Sequence, residues 1–116
     1  MQNELSERLL NFAAEIIKLG INLNKNATGR YISGQLIRSA TSAGANYEET
    51  CGAESKADFI HKIQIVLKEL REACYWLKLI KKSKLVPESN LAALAQEAKE
   101  LTNIIAKSVL TAKQNR

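Results

Sequence analysis

Few residues in this chain could do covalent or metal chemistry, and their spacing limits what that chemistry could be. His61 is the sole histidine, and it follows Asp58 at the i, i+3 spacing of carboxylate-bridged dimetal bundles. Such a centre needs a second histidine motif and two further inward carboxylates, and the second histidine does not exist. Cys51 and Cys74 could each form a nucleophilic pair with His61. Neither lies in a nucleophile motif, and Cys74 falls on an apolar helical stripe. Two cysteines at no metal-ligand spacing read as small apolar packing residues of a reducing compartment. The chain also lacks a phosphate-binding glycine loop of either common type. The expectation is a protein that is not an enzyme and has no metal or cofactor.

The elements that carry these residues read as helices. Leu5, Leu9, Phe12, Ile16, Leu19 and Leu23 recur at steps of three and four, the period of one helical face. Gly20 lies inside this pattern and weakens it locally, and Asn22, Asn24, Asn26 and Gly29 read as a loop. Ile32, Leu36, Ala40, Ala43, Tyr47 and Cys51 define a second helix from about Tyr31 to Thr50. Its middle, Ser39 to Ala45, holds only small side chains. Gly44 there costs about 1 kcal/mol of helix propensity against alanine, a cost that close helix packing would offset. Gly52 reads as a left-handed cap and Ser55 as the next N-cap, with Asp58 in the first turn. Phe59, Ile63, Val66, Leu67, Leu70, Ala73, Cys74, Leu77 and Ile80 make the third stripe, running to about Lys82. Pro87 breaks the chain, and Glu88 opens a last helix with the stripe Leu91, Leu94, Ala98, Leu101, Ile105, Val109 and Ala112. No strand-like alternation occurs.

Four amphipathic helices with short links fold most simply as an antiparallel up-down-up-down bundle, all-α, with residues 1–116 as one domain. Hydrophobic residues make up 46% and aromatics only 5%, so the core must be built from Leu, Ile, Val and Ala. No apolar run reaches the roughly 18 residues of a membrane span. Met1-Gln2-Asn3-Glu4-Leu5 lacks the pattern of a secretory signal. A cytoplasmic location is expected, with no membrane partner.

Apolar residues exceed what one core stripe per helix needs. Ile65, Trp76 and Leu79 lie on another side of the third helix; Leu10, Ile17 and Ile21 broaden the first, and Ile37 the second. The surplus predicts a helix-face interface between identical chains, with Ile17, Ile37, Ile65, Trp76 and Leu79 as contacts and Trp76 as anchor. A wide core stripe with scattered exposed apolar groups would give the same pattern. Glu48 and Glu49 oppose the dipole at the end of the second helix, so both are expected to pair with basic groups from elsewhere, which Arg38 or Lys56 could supply. Lys68-Glu69 and Arg71-Glu72 read as an ordinary solvated face of mixed sign.

The formal charge is +5, and its distribution matters more: residues 1–80 carry ten Lys/Arg and nine Asp/Glu, residues 81–116 seven and three. The excess begins at Lys81-Lys82-Ser83-Lys84. Arg71, Lys78, Lys81, Lys82, Lys84 and Lys113 are the candidates for phosphate contact. Cations facing the negative end of a helix explain the same lysine run. No RNA-recognition, KH or helix-turn-helix motif is present, and no aromatic platform for base stacking shows in the linear sequence.

The segment Gln35–Glu49, with Glu54–Lys62 and Tyr75-Trp76-Leu77, closely resembles bacterial four-helix bundle proteins encoded by intervening sequences in large-subunit ribosomal RNA genes. A more distant similarity is to the accessory variability determinant of diversity-generating retroelements. The motif residues that carry the resemblance are Arg38, Ser39, Gly44, Asn46, Glu48, Lys56 and Phe59. The chain departs from the pattern after Asn46, where Tyr47-Glu48-Glu49-Thr50 replaces an Ala-Glu-Gly or Arg-Glu-Ala run. The resemblance implies a homopentameric ring of four-helix bundles, no enzymatic activity, and a link to ribosomal RNA through gene position. It leaves two functions: a scaffold that binds RNA or DNA, or a structural module that recruits a protein partner.

Overall fold

The computed structural model describes residues 2–115, and they form four helices with no strand among the described residues. These are α1 (Gln2–Leu23), α2 (Ala27–Cys51), α3 (Lys56–Ser83) and α4 (Ala92–Gln114), with a 3-10 turn at Glu88–Asn90 before α4. The bundle measures 47 × 21 × 19 Å. At about 1.5 Å per residue α3 is about 42 Å long and nearly spans it. Consecutive helices pack antiparallel; α2 lies most extensively on α3, while α1 and α4 form the loosest seam. That seam is tied by the Arg8 guanidinium, which donates to both Glu97 oxygens at 2.7 and 3.0 Å and to Glu100 at 3.2 Å.

Local chemistry sets the helix ends. Asn26 is extended and its side chain accepts the Gly29 N–H at 2.8 Å, so α2 starts at Ala27, four residues before the expected Tyr31. Gly29 therefore lies in the first turn of α2 and not in a loop. A Cβ there would sit 1.9 Å from the Leu23 carbonyl oxygen, so only glycine lets α1 turn into α2 this closely. Ser55 caps α3 as expected, accepting the Asp58 N–H at 3.1 Å. Gly52 is not left-handed (φ −99°). The left-handed cap falls on Lys84 instead (φ 56°), where the Leu85 N–H reaches back to the Ile80 carbonyl at 3.3 Å. Glu88 opens the 3-10 turn, and α4 begins only at Ala92.

Phe12, Leu9, Ile16, Leu36, Ile63, Leu70, Ile80, Leu101 and Ile105 are fully buried, with Ala40, Ala43, Ala73 and Ala98 between them. Phe59 and Cys74, expected inside, are half-buried, while Ile60 is buried in their place. The tight helix approach is not at Gly44, whose added Cβ would find Leu9 at an ordinary 3.9 Å. It is at Gly20, where a Cβ would stand 2.7 Å from Ser33 Oγ and 2.9 Å from Ile37 Cδ1. The expected weak point of α1 is thus a place where α1 and α2 touch closely.

Candidate nucleic-acid interface

Two motif residues of α2, Arg38 and Asn46, join Ser42 in a polar clamp to α3. Arg38, Ser42 and Asn46 follow one another at i, i+4 and i+8, on one face of the helix. Arg38 Nη1 donates to Glu69 Oε1 at 3.2 Å, and Arg38 Nη2 donates to Glu72. Ser42 Oγ lies 3.3 Å from Glu69 Oε2, and Asn46 Nδ2 donates to Ser42 Oγ at 3.0 Å. Glu72 also accepts the Trp76 indole N–H at 3.0 Å. Glu69 is only 8% exposed, so the pair Lys68-Glu69 is not an ordinary solvated face: this acid is buried and compensated by Arg38. A lone charged residue in a mixed run carries no sequence signal of burial; the signal was Arg38 on the facing helix. The Arg38 guanidinium, then the indole N–H, holds Glu72 below the usual carboxylate range. Every carboxylate here is engaged by a donor, so the clamp fixes α2 against α3. Ser39 is buried on the other flank, donating to the Leu36 carbonyl at 3.0 Å.

Glu48 joins none of this. Arg38 is taken by Glu69 and Glu72, and Lys56 Nζ donates to the Asn115 carbonyl at 2.6 Å, so the expected pairing of Glu48 with either is replaced by these contacts. Glu48 stands exposed on the rim of an α1–α2 groove of about 720 Å³, with Gly44 beneath it and Glu7, Leu10 and Ile17 across it.

The surplus apolar residues divide. Ile37, Ile65, Trp76 and Leu79 are half-buried by their own chain. Ile17 is exposed, in line with Leu10 (63% exposed) and Ile21 (71%), so the open apolar stripe lies on α1. His61 is exposed, and Asp58 pairs with Lys62 at 3.3 Å. Asp58 is held below the usual carboxylate range by the Glu54 backbone N–H and then by Lys62. No three His, Cys, Asp or Glu side chains among the described residues converge to hold a metal. No described helix is long and apolar enough to cross a membrane.

The fold gathers the basic residues. Residues 2–51 hold five Lys/Arg against five Asp/Glu, whereas residues 52–116 hold twelve against seven. The whole formal excess thus belongs to the α3–α4 half. Lys78 and Lys81 line a groove of about 780 Å³ between α3 and α4 with Lys99 opposite and an apolar floor of Leu77, Leu91, Ala92 and Ala95. Lys82 and Lys84 follow at the end of α3, both exposed. Asn22 and Asn90 line one cleft, so the α1–α2 and α3–α4 turns share an end of the bundle. Lys25 and Arg30, both exposed, therefore stand at the same end as Lys81, Lys82 and Lys84. Lys25, Arg30 and Lys99 escape a reading of charge runs along the chain; the up-down topology is what brings them in. Arg71 lies midway along α3. Lys113 is in the last turn of α4, at the far end beside Lys56, and does not join the cluster. Phe59 and Lys56 line a separate shallow groove there with Ile104 and Lys107.

Relatives of known structure share this architecture. A protein of unknown function from the S23 ribosomal protein family of Bacteroides thetaiotaomicron is 31% identical. It superposes with a TM-score of 0.82 over 90% of this chain and 97% of its own. No curated protein matches the chain. The family described as 23S rRNA-intervening sequence protein matches residues 1–107. With this match over nearly the full length and the shared four-helix architecture, the chain belongs to the 23S rRNA-intervening sequence protein family.

Proposed function

We propose that the protein is a non-catalytic, homo-oligomeric scaffold, pentameric as the family resemblance implies, that binds nucleic acid, chiefly RNA, through basic surface charge. The observation that carries this reading is the segregation of charge: the α1–α2 half is formally neutral and the α3–α4 half holds the entire +5. Five copies would present about +25, a field strong enough to steer a polyanion within about a Debye length of the surface. Contacts of this kind are to phosphates, so affinity falls steeply with salt and depends weakly on sequence. The exposed Leu10, Ile17 and Ile21 stripe, outside the basic half, supports the contact between copies.

The same stripe, bordered by Glu7 and Glu48, also fits a second reading, a module that recruits a protein and binds no nucleic acid. Retention of RNA on the purified protein at low and high salt separates the two. RNA held at low salt and released at high salt is expected; no retention even at low salt leaves the protein-recruiting module.

A further inference from the structure

Three of the aromatic rings of this aromatic-poor chain meet at the surface where α2 lies on α3. Tyr75 meets Trp76 edge to face with ring centroids 5.2 Å apart, and Tyr31 of α2 meets the same Trp76 at 6.2 Å. The linear sequence hides this group because its rings come from two helices. Trp76 is the keystone: half-buried against the core, its indole N–H is fixed on Glu72, which is itself held by Arg38. The flanking rings are open, Tyr31 62% and Tyr75 58% exposed. Aromatic rings held rigidly with a face toward water are the geometry on which unpaired bases stack.

The charges around them have a matching order. Lys68, Arg71, Tyr75, Lys78 and Lys82 follow at steps of 3, 4, 3 and 4, one outer stripe of α3 on which all five are exposed. Arg30 adjoins Tyr31 on α2. Cations above and below an exposed ring on one straight face suit a strand whose phosphates run along the helix while a base turns onto the ring. A duplex, with its bases stacked inside, could use only the cations.

The geometry points to a single-strand binding site on α3, in which Tyr75, supported by Trp76 and Tyr31, stacks an unpaired base while Lys68, Arg71, Lys78 and Lys82 hold the flanking phosphates. This rests on the nucleic-acid function proposed above and names its ligand class as unpaired RNA or DNA.

The test uses the full-length protein and three probes of about twelve nucleotides, within the site size of such grooves: oligouridylate, oligothymidylate and a mixed-sequence duplex. Trp76, the single tryptophan, reports directly. Either single strand should quench its emission and bind at least about fivefold tighter than the duplex. Preference between the two strands assigns RNA or DNA. Tyr75→Ala should remove that advantage while the cation-held duplex still binds, and Tyr75→Phe should retain it. Equal binding of all three probes, untouched by Tyr75→Ala, overturns the stacking site and leaves the electrostatic function standing. Absence of binding by every probe at low salt overturns both.

Discussion

The α1–α2 half and the α3–α4 half of the bundle have comparable helix lengths and opposite surfaces. The first is formally neutral, joined by glycine-mediated contact at Gly20 and Gly29, and leaves Leu10, Ile17 and Ile21 in water. The second carries all the excess charge, and its grooves are edged with lysine. Arg38, Glu69 and Glu72 clamp the halves together, so neither surface can shift without the other. On the proposed function, apolar association and anion binding would occupy separate faces, each of which can be changed alone.

The largest effect is expected at the α1–α2 corner. Gly29→Ala forces a Cβ onto the Leu23 carbonyl, and backbone cannot yield as a side chain tip can. A loss of about 3 kcal/mol in denaturant unfolding is expected. Unaltered stability would mean that the corner is looser than its geometry. Lys81→Glu with Lys82→Glu should lower RNA affinity more than about tenfold and leave the solution mass unchanged, because both residues are exposed on the basic half. A change in mass with intact affinity would reverse the assignment of the two faces.

Smaller effects sharpen the contrast. Lys84 is the one non-glycine residue with positive φ among the described residues, so Lys84→Gly should stabilise the fold by about 1 kcal/mol. The same change should flatten the salt dependence of single-stranded RNA binding by about 0.7 in logarithmic slope. Gly44→Ala has room at 3.9 Å from Leu9 and should raise stability by up to about 1 kcal/mol. If copies pack in the groove above Gly44, the same variant should weaken assembly in sedimentation. The smallest effect concerns acid. Glu72 is held below its ordinary value of 4.5, so its contribution is present above that pH and is lost as pH falls through the lowered value. Arg38→Gln should flatten this acid limb of the stability curve.

The helices were legible in the sequence because their apolar residues keep a 3.6-residue period over five to seven turns. Ser55 was legible as a cap, since serine before a periodic run does one job. Positions where tertiary contact decides were not. Gly20 read as a helix weakness and Gly44 as the close contact, and only the distances to Ser33 and Leu9 reverse the two. Glu69 looked solvated until Arg38 appeared across from it. Gly52 and Lys84 exchanged the left-handed role because the reading assigned it to glycine, whereas the chain reversal after α3 demands it of whichever residue stands there. In the basic site, Lys78, Lys81, Lys82 and Lys84 were visible as a run. Lys25, Arg30, Lys99 and the ring group at Trp76 depend on which helix ends and faces adjoin.

The division of labour between the two halves is tested most directly by titrating a labelled oligoribonucleotide into the protein between about 50 and 200 mM salt, a range over which phosphate contacts dominate affinity. Wild type should bind at the low end and lose affinity steeply, Lys81→Glu/Lys82→Glu should bind poorly throughout, and Leu10→Glu/Ile17→Glu should retain per-chain binding at the low end while losing assembly. Failure of wild type to bind at about 50 mM, or equal affinity in the lysine variant, would contradict the basic half as the nucleic-acid face.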